Sequence, residues 1–104
     1  MDRPDIFRAI ADPTRREILA LLSEGAMTVG DVADRFDMTR PAVAKHLKVL
    51  SDGGLISVEA RGRERFNRLN AAPLKQVADW VSRFDAFWDD KLNKLKEEVE
   101  KEHG

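Results

Sequence analysis

Cysteine is absent from these 104 residues, and with it go disulfides, thiolate nucleophiles and thiolate metal sites. His46 and His103 are the two imidazoles left to a metal or a catalyst. No apolar run approaches the roughly 18 to 20 residues that span a bilayer, so membrane insertion is not expected. The stretch MDRPDIFRAIADP holds neither an uninterrupted apolar segment nor a small-residue cleavage site. It reads as no export signal, and the expected compartment is the cytoplasm. No nucleophile, histidine and carboxylate set and no phosphate-binding glycine loop is visible, so neither an enzyme nor a cofactor is expected. Internal repeats and low-complexity stretches are also missing.

A chain of this length builds one core, and a single domain over 1–104 is the expectation. Its 42% hydrophobic and 36% charged residues are those of a folded protein. The net charge of -1 conceals a segregation. Residues 1–34 carry four basic and seven acidic side chains, residues 35–68 eight and four, residues 69–84 two and one, and residues 85–104 four and seven. A positive middle lies between negative ends. Chance clustering is one reading of this, and a face that meets a polyanion is the other.

Pro4 fits the first turn of a short helix with Ile6, Phe7 and Ile10 as its apolar side. Asp12 and Pro13 end it and restart the chain, Asp as cap and Pro as first helical residue, for a second helix to about Ser23. Thr28 and Asp31 make a capping-box pattern ahead of Val29, Val32, Ala33 and Phe36. After the brief break at Asp37 and Met38 comes TRPAVAKHLKVL, Thr39 to Leu50. Its apolar stripe is Val43, Leu47 and Leu50, and its polar face, Thr39, Arg40, Lys45 and Lys48, holds no carboxylate. Two helices about so short a turn are a helix-turn-helix, placed over 28–52 and ended by Gly53 and Gly54, with Ala33 small enough for close approach.

LISVEA, RGR and ERFNRL read as a hairpin over 55–69, centred on Gly62. Asn70 and Pro73 then open a long helix, expected over 71–101. Its residues Leu74, Val77, Val81, Phe84, Trp88, Leu92, Leu95 and Val99 recur at steps of three or four. At about 1.5 Å per residue it is roughly 40 Å long, more than a domain of this size covers by itself. Trp80 and Phe87 widen its apolar face. Either these aromatics meet a second copy of the chain, or they are core or line a ligand pocket. The fold expected is mainly α with a small β-hairpin: a winged helix-turn-helix of five helices and a two-stranded wing.

The chain resembles the ArsR-type family of bacterial winged-helix repressors over about residues 5 to 95. The stretches that carry the resemblance are ADPTRREIL, Ala11 to Leu19; TVGDVADRFDMTRPAVAKHLKVL, Thr28 to Leu50; DGGLI, Asp52 to Ile56; and RGR at the wing tip. It implies a homodimeric, sequence-specific repressor on an inverted-repeat operator, joined through its first and last helices. Ile6, Phe7, Ile10, Trp80, Phe84, Phe87, Trp88, Leu92 and Leu95 are the interface residues it indicates. The chain departs from the family's metal sensors. Their thiolate pair would fall around Val29 to Ala33, where there is no cysteine, and His103 is the only histidine of the last helix. Metal sensing is not expected, and the effector is not legible.

In a helix-turn-helix the second helix enters the major groove with its N-terminal residues at base edges. Arg40 is the candidate for bidentate guanine readout. Thr39 either caps the helix or touches a base or phosphate, and Ala42 meets a thymine methyl or keeps the helix close. Lys45 is a candidate for base-edge or phosphate contact and Lys48 for phosphate contact, each against solvation alone. His46 rotates toward the core flank, so packing competes with contact to DNA. Arg61, Arg63 and Arg65 form the wing's candidate DNA surface, with Arg68 a further member. Arg15 and Arg16 bind phosphate or, in a structural role, pair with Asp12 and Glu17. A winged-helix module that binds protein instead of DNA is the alternative, and it needs an apolar patch that the polar face of Thr39 to Leu50 does not offer.

Overall fold

Two aspartates start the first two helices. The computed structural model describes residues 5–103, with side chains through residue 101. The Asp5 carboxylate accepts from the Arg8 amide at 3.0 Å and opens α1, Ile6–Ile10. Pro4, expected in that first turn, lies outside the described residues. Asp12 does the same for the Arg15 amide at 3.0 Å, with Pro13 leading α2, Pro13–Leu22. Each carboxylate satisfies an amide that has no partner inside its helix and sits at the positive end of the helix dipole. A five-residue helix is not stable alone. Here α1 is held by burial of Ile6 and Ala9 and by two arginines of α2 that donate to its last carbonyls.

The capping box at Thr28 is present in both directions: Thr28 Oγ1 accepts from the Asp31 amide at 3.1 Å, and the Asp31 carboxylate from the Thr28 amide at 3.2 Å. It opens α3, Val29–Phe36. Asp37 ends α3 in the left-handed conformation, φ 52°, the one non-glycine residue among those described with positive φ. The chain thereby reverses within a few residues into α4, Arg40–Asp52. Gly54, at φ 79°, stops α4: its amide donates to the Ser51 carbonyl at 2.9 Å and the Leu55 amide to the Leu50 carbonyl at 3.0 Å. This is a Schellman motif, and the two leucines on either side of it belong to the same core cluster. Both are fully buried.

Ile18, Val32, Val43, Leu50 and Leu55 make the centre of the core, each with no measurable exposure. Removing such a side chain from water contributes about 1.5–3 kcal/mol. Ala33 is buried among them, as its size at the α3–α4 contact requires.

Strands β1, Ile56–Arg61, and β2, Glu64–Leu69, pair antiparallel, with Ile56 opposite Leu69 and Arg61 opposite Glu64. Gly62 takes φ 61° while Arg63 stays at negative φ, the signature of a type II′ turn. Met27 adds a single bridge to the outer side of β2, its amide donating to the Asn67 carbonyl at 3.0 Å and its carbonyl accepting from the Asn67 amide at 2.7 Å. Asn67 Nδ2 also donates to the Met27 carbonyl at 3.2 Å, and Asn67 is buried. The wing is thus tied to the segment before α3.

The long helix expected over 71–101 is two helices, α5, Leu74–Ser82, and α6, Asp85–His103, making six helices instead of five. At the junction the Arg83 and Phe84 amides donate three residues back, to the Trp80 and Val81 carbonyls, before Trp88 resumes four-residue spacing on Phe84. Ser82 Oγ donates to the Asp79 carbonyl at 2.6 Å and competes with the helical ladder there. Such a one-turn tightening leaves the apolar spacing intact, so periodicity does not record it. Asn70 does not cap α5. Its amide donates to the Leu55 carbonyl and its Nδ2 to the Gly54 carbonyl, closing the base of the wing.

α5 packs Leu74 and Val77 on the core, whereas every described side chain of α6 is exposed. The radius of gyration, 18.8 Å, exceeds the roughly 13 Å of a compact chain of about 100 residues. α6 reaches away from the body. Among the described residues no helix is long and apolar enough to cross a membrane.

Candidate nucleic-acid interface

α4 is held by its inward residues Val43, Leu47 and Leu50, and the rest of the site follows from that rotation. Arg40, Lys45 and Lys48 are exposed, Ala42 and His46 half-buried. Thr39 Oγ1 accepts from the Ala42 amide at 3.3 Å, so its capping role is present. Lys48 Nζ lies 3.4 Å from the Asp52 carboxylate, one turn on. The helix runs two residues beyond Leu50, and its outward face therefore carries a carboxylate at the C-terminal end. Its N-terminal half carries none. Pro41 and Ala44, two exposed residues that the charge pattern does not single out, complete this outward face. Simple helical rotation identifies both.

The Arg40 side chain turns back toward α3. A Cβ built on Gly30 would stand 3.0 Å from Arg40 Nη2, 3.2 Å from Cζ and 3.5 Å from Nε.

The hairpin separates its arginines. Arg65 faces α4 and lines, with Ala44, Leu47, Lys48, Val58 and Asn67, an open cleft of about 300 Å³ between α4 and the wing. Arg63 occupies the turn. Arg61 and Arg68 lie on the other face, where both donate to the Glu59 carboxylate, at 3.1 and 3.2 Å. Arg61 also lies over the Phe66 ring, 4.6 Å from its centroid. The hydrogen bonds from Arg61 and then Arg68 hold the Glu59 carboxyl below its usual range. Sequence reading did not foresee this carboxylate clamp, although its partners follow from the register, in which Glu59 stands opposite Phe66 and beside Arg68.

Arg15 and Arg16 are engaged within the fold. Arg15 Nε donates to the Ala9 carbonyl at 2.6 Å, Nη2 to the Arg8 carbonyl at 3.1 Å, and Nη1 stands 3.4 Å from His46 Nδ1. The guanidinium can only donate, so Nδ1 is the acceptor in this contact when it carries no proton. Arg16 Nη1 donates to the Ile10 and Ala11 carbonyls at 2.8 and 3.2 Å. The amide of Arg15, foremost, keeps the Asp12 carboxyl below its usual range.

Along α1, α5 and α6, Phe7 meets Trp80 edge-on at 6.0 Å and Trp80 meets Phe84 at 5.3 Å, and Phe87 meets Trp88 at 5.8 Å. All five rings remain about half exposed, and Leu92 and Leu95 are more than 60% exposed. Ile6 is buried in the core and Ile10 packs partly against it, so they support this surface from beneath. Among the described residues no three histidine or carboxylate side chains converge as metal ligands.

A family model described as a helix-turn-helix domain matches residues 10–59. The transcriptional repressor SdpR of Bacillus subtilis is 39% identical over 80 residues, which cover 77% of this chain and 89% of the relative. A crystal structure of an ArsR family transcriptional regulator superposes with a TM-score of 0.70 at 39% identity, over 81% of this chain and 92% of that one. The solution structure of a homodimeric winged helix-turn-helix DNA-binding domain from Mycobacterium bovis shares the fold at 24% identity, with a TM-score of 0.62 over 74% of each chain. With a relative of this identity covered over most of its length, and the wing and helix-turn-helix in place, the chain belongs to the ArsR family of winged helix-turn-helix transcriptional regulators.

Proposed function

We propose that this chain is a cytoplasmic homodimeric repressor that binds an inverted-repeat operator in double-stranded DNA. The observation that carries the reading is the outward face of α4, where Arg40, Lys45 and Lys48 are exposed around a first turn free of carboxylates. A helix so presented fits the major groove, with Thr39, Arg40 and Ala42 at its leading end near base edges and Lys45, His46 and Lys48 further along. Arg63 at the wing tip and Arg65 beside α4 add phosphate or minor-groove contacts, and Arg61 joins them once it leaves Glu59. The SdpR relative, a repressor by name, supports the direction of control.

Dimerisation rests on a second surface, formed by α1, α5 and α6. Phe7, Trp80, Phe84, Phe87, Trp88, Leu92 and Leu95 are each at least 43% exposed, apolar side chains that a second copy would cover, and the homodimeric Mycobacterium bovis domain supports that cover. Two α4 helices related by a two-fold axis read two half-sites about one helical turn, roughly 34 Å, apart. With no cysteine in the chain, release through a thiolate metal site is excluded.

Sequencing the duplexes that the protein selects from a random pool tests this reading. An inverted repeat is the expected product. A pool that stays random after repeated selection, or converges on one unrepeated site, contradicts it.

A further inference from the structure

Resting on Arg40 as a base-contacting side chain, we propose that Gly30 is a specificity-determining positioning residue, the seat that holds the Arg40 guanidinium beside the leading end of α4. Three guanidinium atoms, Nη2, Cζ and Nε, lie 3.0, 3.2 and 3.5 Å from the point where a Cβ would stand. A guanidinium arriving tip first would place Cζ about 1.3 Å, one C–N bond, further off than its terminal nitrogen. The three similar distances describe a side-on approach, the plane laid along the first turn of α3.

The backbone gives no reason for glycine here. Gly30 is not among the glycines with positive φ, and it lies within α3, where alanine forms helix better. What the missing Cβ provides is room for Arg40. That side chain is anchored at its other end by the Thr39 cap, since Arg40 is the first residue of α4. A long arginine loses rotamer freedom when it contacts a base, and a seat that already limits its directions reduces that loss and favours one base over its competitors. A methyl group on residue 30 displaces the guanidinium and leaves the fold alone, because the atoms it meets are the far end of an exposed, flexible side chain.

The test compares wild type, Gly30→Ala, Arg40→Ala and the double variant by thermal midpoint and by the ratio of affinity for the selected operator to affinity for a scrambled duplex at one salt concentration. Arg40→Ala is expected to lower the ratio about 5- to 150-fold, the range of a bidentate base contact. Gly30→Ala is expected to keep or raise the thermal midpoint and still lower the ratio about threefold or more. The double variant should match Arg40→Ala within about twofold, because the seat acts only through the arginine. The seat is overturned, with the base contact intact, if Gly30→Ala leaves the ratio unchanged or lowers it equally in the Arg40→Ala background. An unchanged ratio in Arg40→Ala overturns the base contact and the seat together.

Discussion

Arg15 of α2 and His46 of α4 meet at 3.4 Å, Nη1 to Nδ1, and the same guanidinium donates to the Ala9 and Arg8 carbonyls of α1. One planar fork therefore joins three helices. An ammonium has three donors but gathers them on one atom, without the plane that spreads them to three partners. Arg15→Ala should destabilise the protein by about 1.5–3 kcal/mol, the worth of hydrogen bonds from a charged donor, and Arg15→Lys should recover little of it. Denaturant unfolding measures both. DNA affinity per folded molecule of Arg15→Lys should equal wild type, and a loss that grows with the number of phosphates neutralised would make Arg15 part of the interface instead.

At Asp37 the turn between α3 and α4 needs a left-handed residue. Aspartate tolerates it, glycine adopts it freely, and a β-branched side chain is strained in it. Asp37→Gly should be neutral or stabilise slightly, while Asp37→Val should cost about 1–2 kcal/mol and lower the thermal midpoint by several degrees. Equal midpoints for the two variants would mean that the turn does not depend on this conformation.

Glu59 accepts hydrogen bonds from two wing arginines, Arg61 and Arg68. Glu59→Gln removes a negative charge from the wing and frees Arg61 and Arg68. Affinity for random-sequence duplex should rise, and its logarithmic salt slope should steepen by about one to two. A flatter slope would assign Glu59 to organising the wing for binding.

The same carboxylate gives a pH dependence with a definite sign. Glu59 and Asp12 are both held below their usual range, so what they add to stability is complete above an ordinary carboxylate pKa of about 4. It is lost as pH falls through their lower folded values. Thermal midpoints should decline below about pH 4, and less steeply in Glu59→Gln, as calorimetry across that range would measure.

Much of this architecture is legible from the chain because local and global preferences agree. Asp12 with Pro13, Thr28 with Asp31, and Gly54 after Leu50 carry start and stop signals that the structure uses as hydrogen bonds. The positive middle of the sequence likewise becomes the exposed side of α4 and the wing. Three features escape such reading for definite reasons. The α5–α6 junction shifts backbone bonds by one residue without glycine or proline to mark it. The Met27–Asn67 bridge joins residues forty apart through main-chain groups, which carry no side-chain pattern. Gly30 matters for what an arginine ten residues later places above it, and a glycine inside a helical pattern looks only like a weak helix former.

Trp88 and Leu92 are more than half exposed and contribute little to the core of a single chain. Trp88→Glu with Leu92→Glu should leave the far-ultraviolet circular dichroism of the winged body in place and move the sedimenting species from two chains to one. Operator binding should fall with it. A double variant that sediments unchanged would remove this face from the interface.

Affinity for the selected operator, compared with the same operator carrying about five extra base pairs between its half-sites, reaches the centre of the account. That insertion turns one half-site by about half a helical turn and leaves every contacted base present. If two copies present their α4 helices to successive major grooves from one rigid pairing, affinity should fall at least about 100-fold, toward that for scrambled DNA. Undiminished affinity for the lengthened operator would show that the half-sites are bound independently, and would contradict the account.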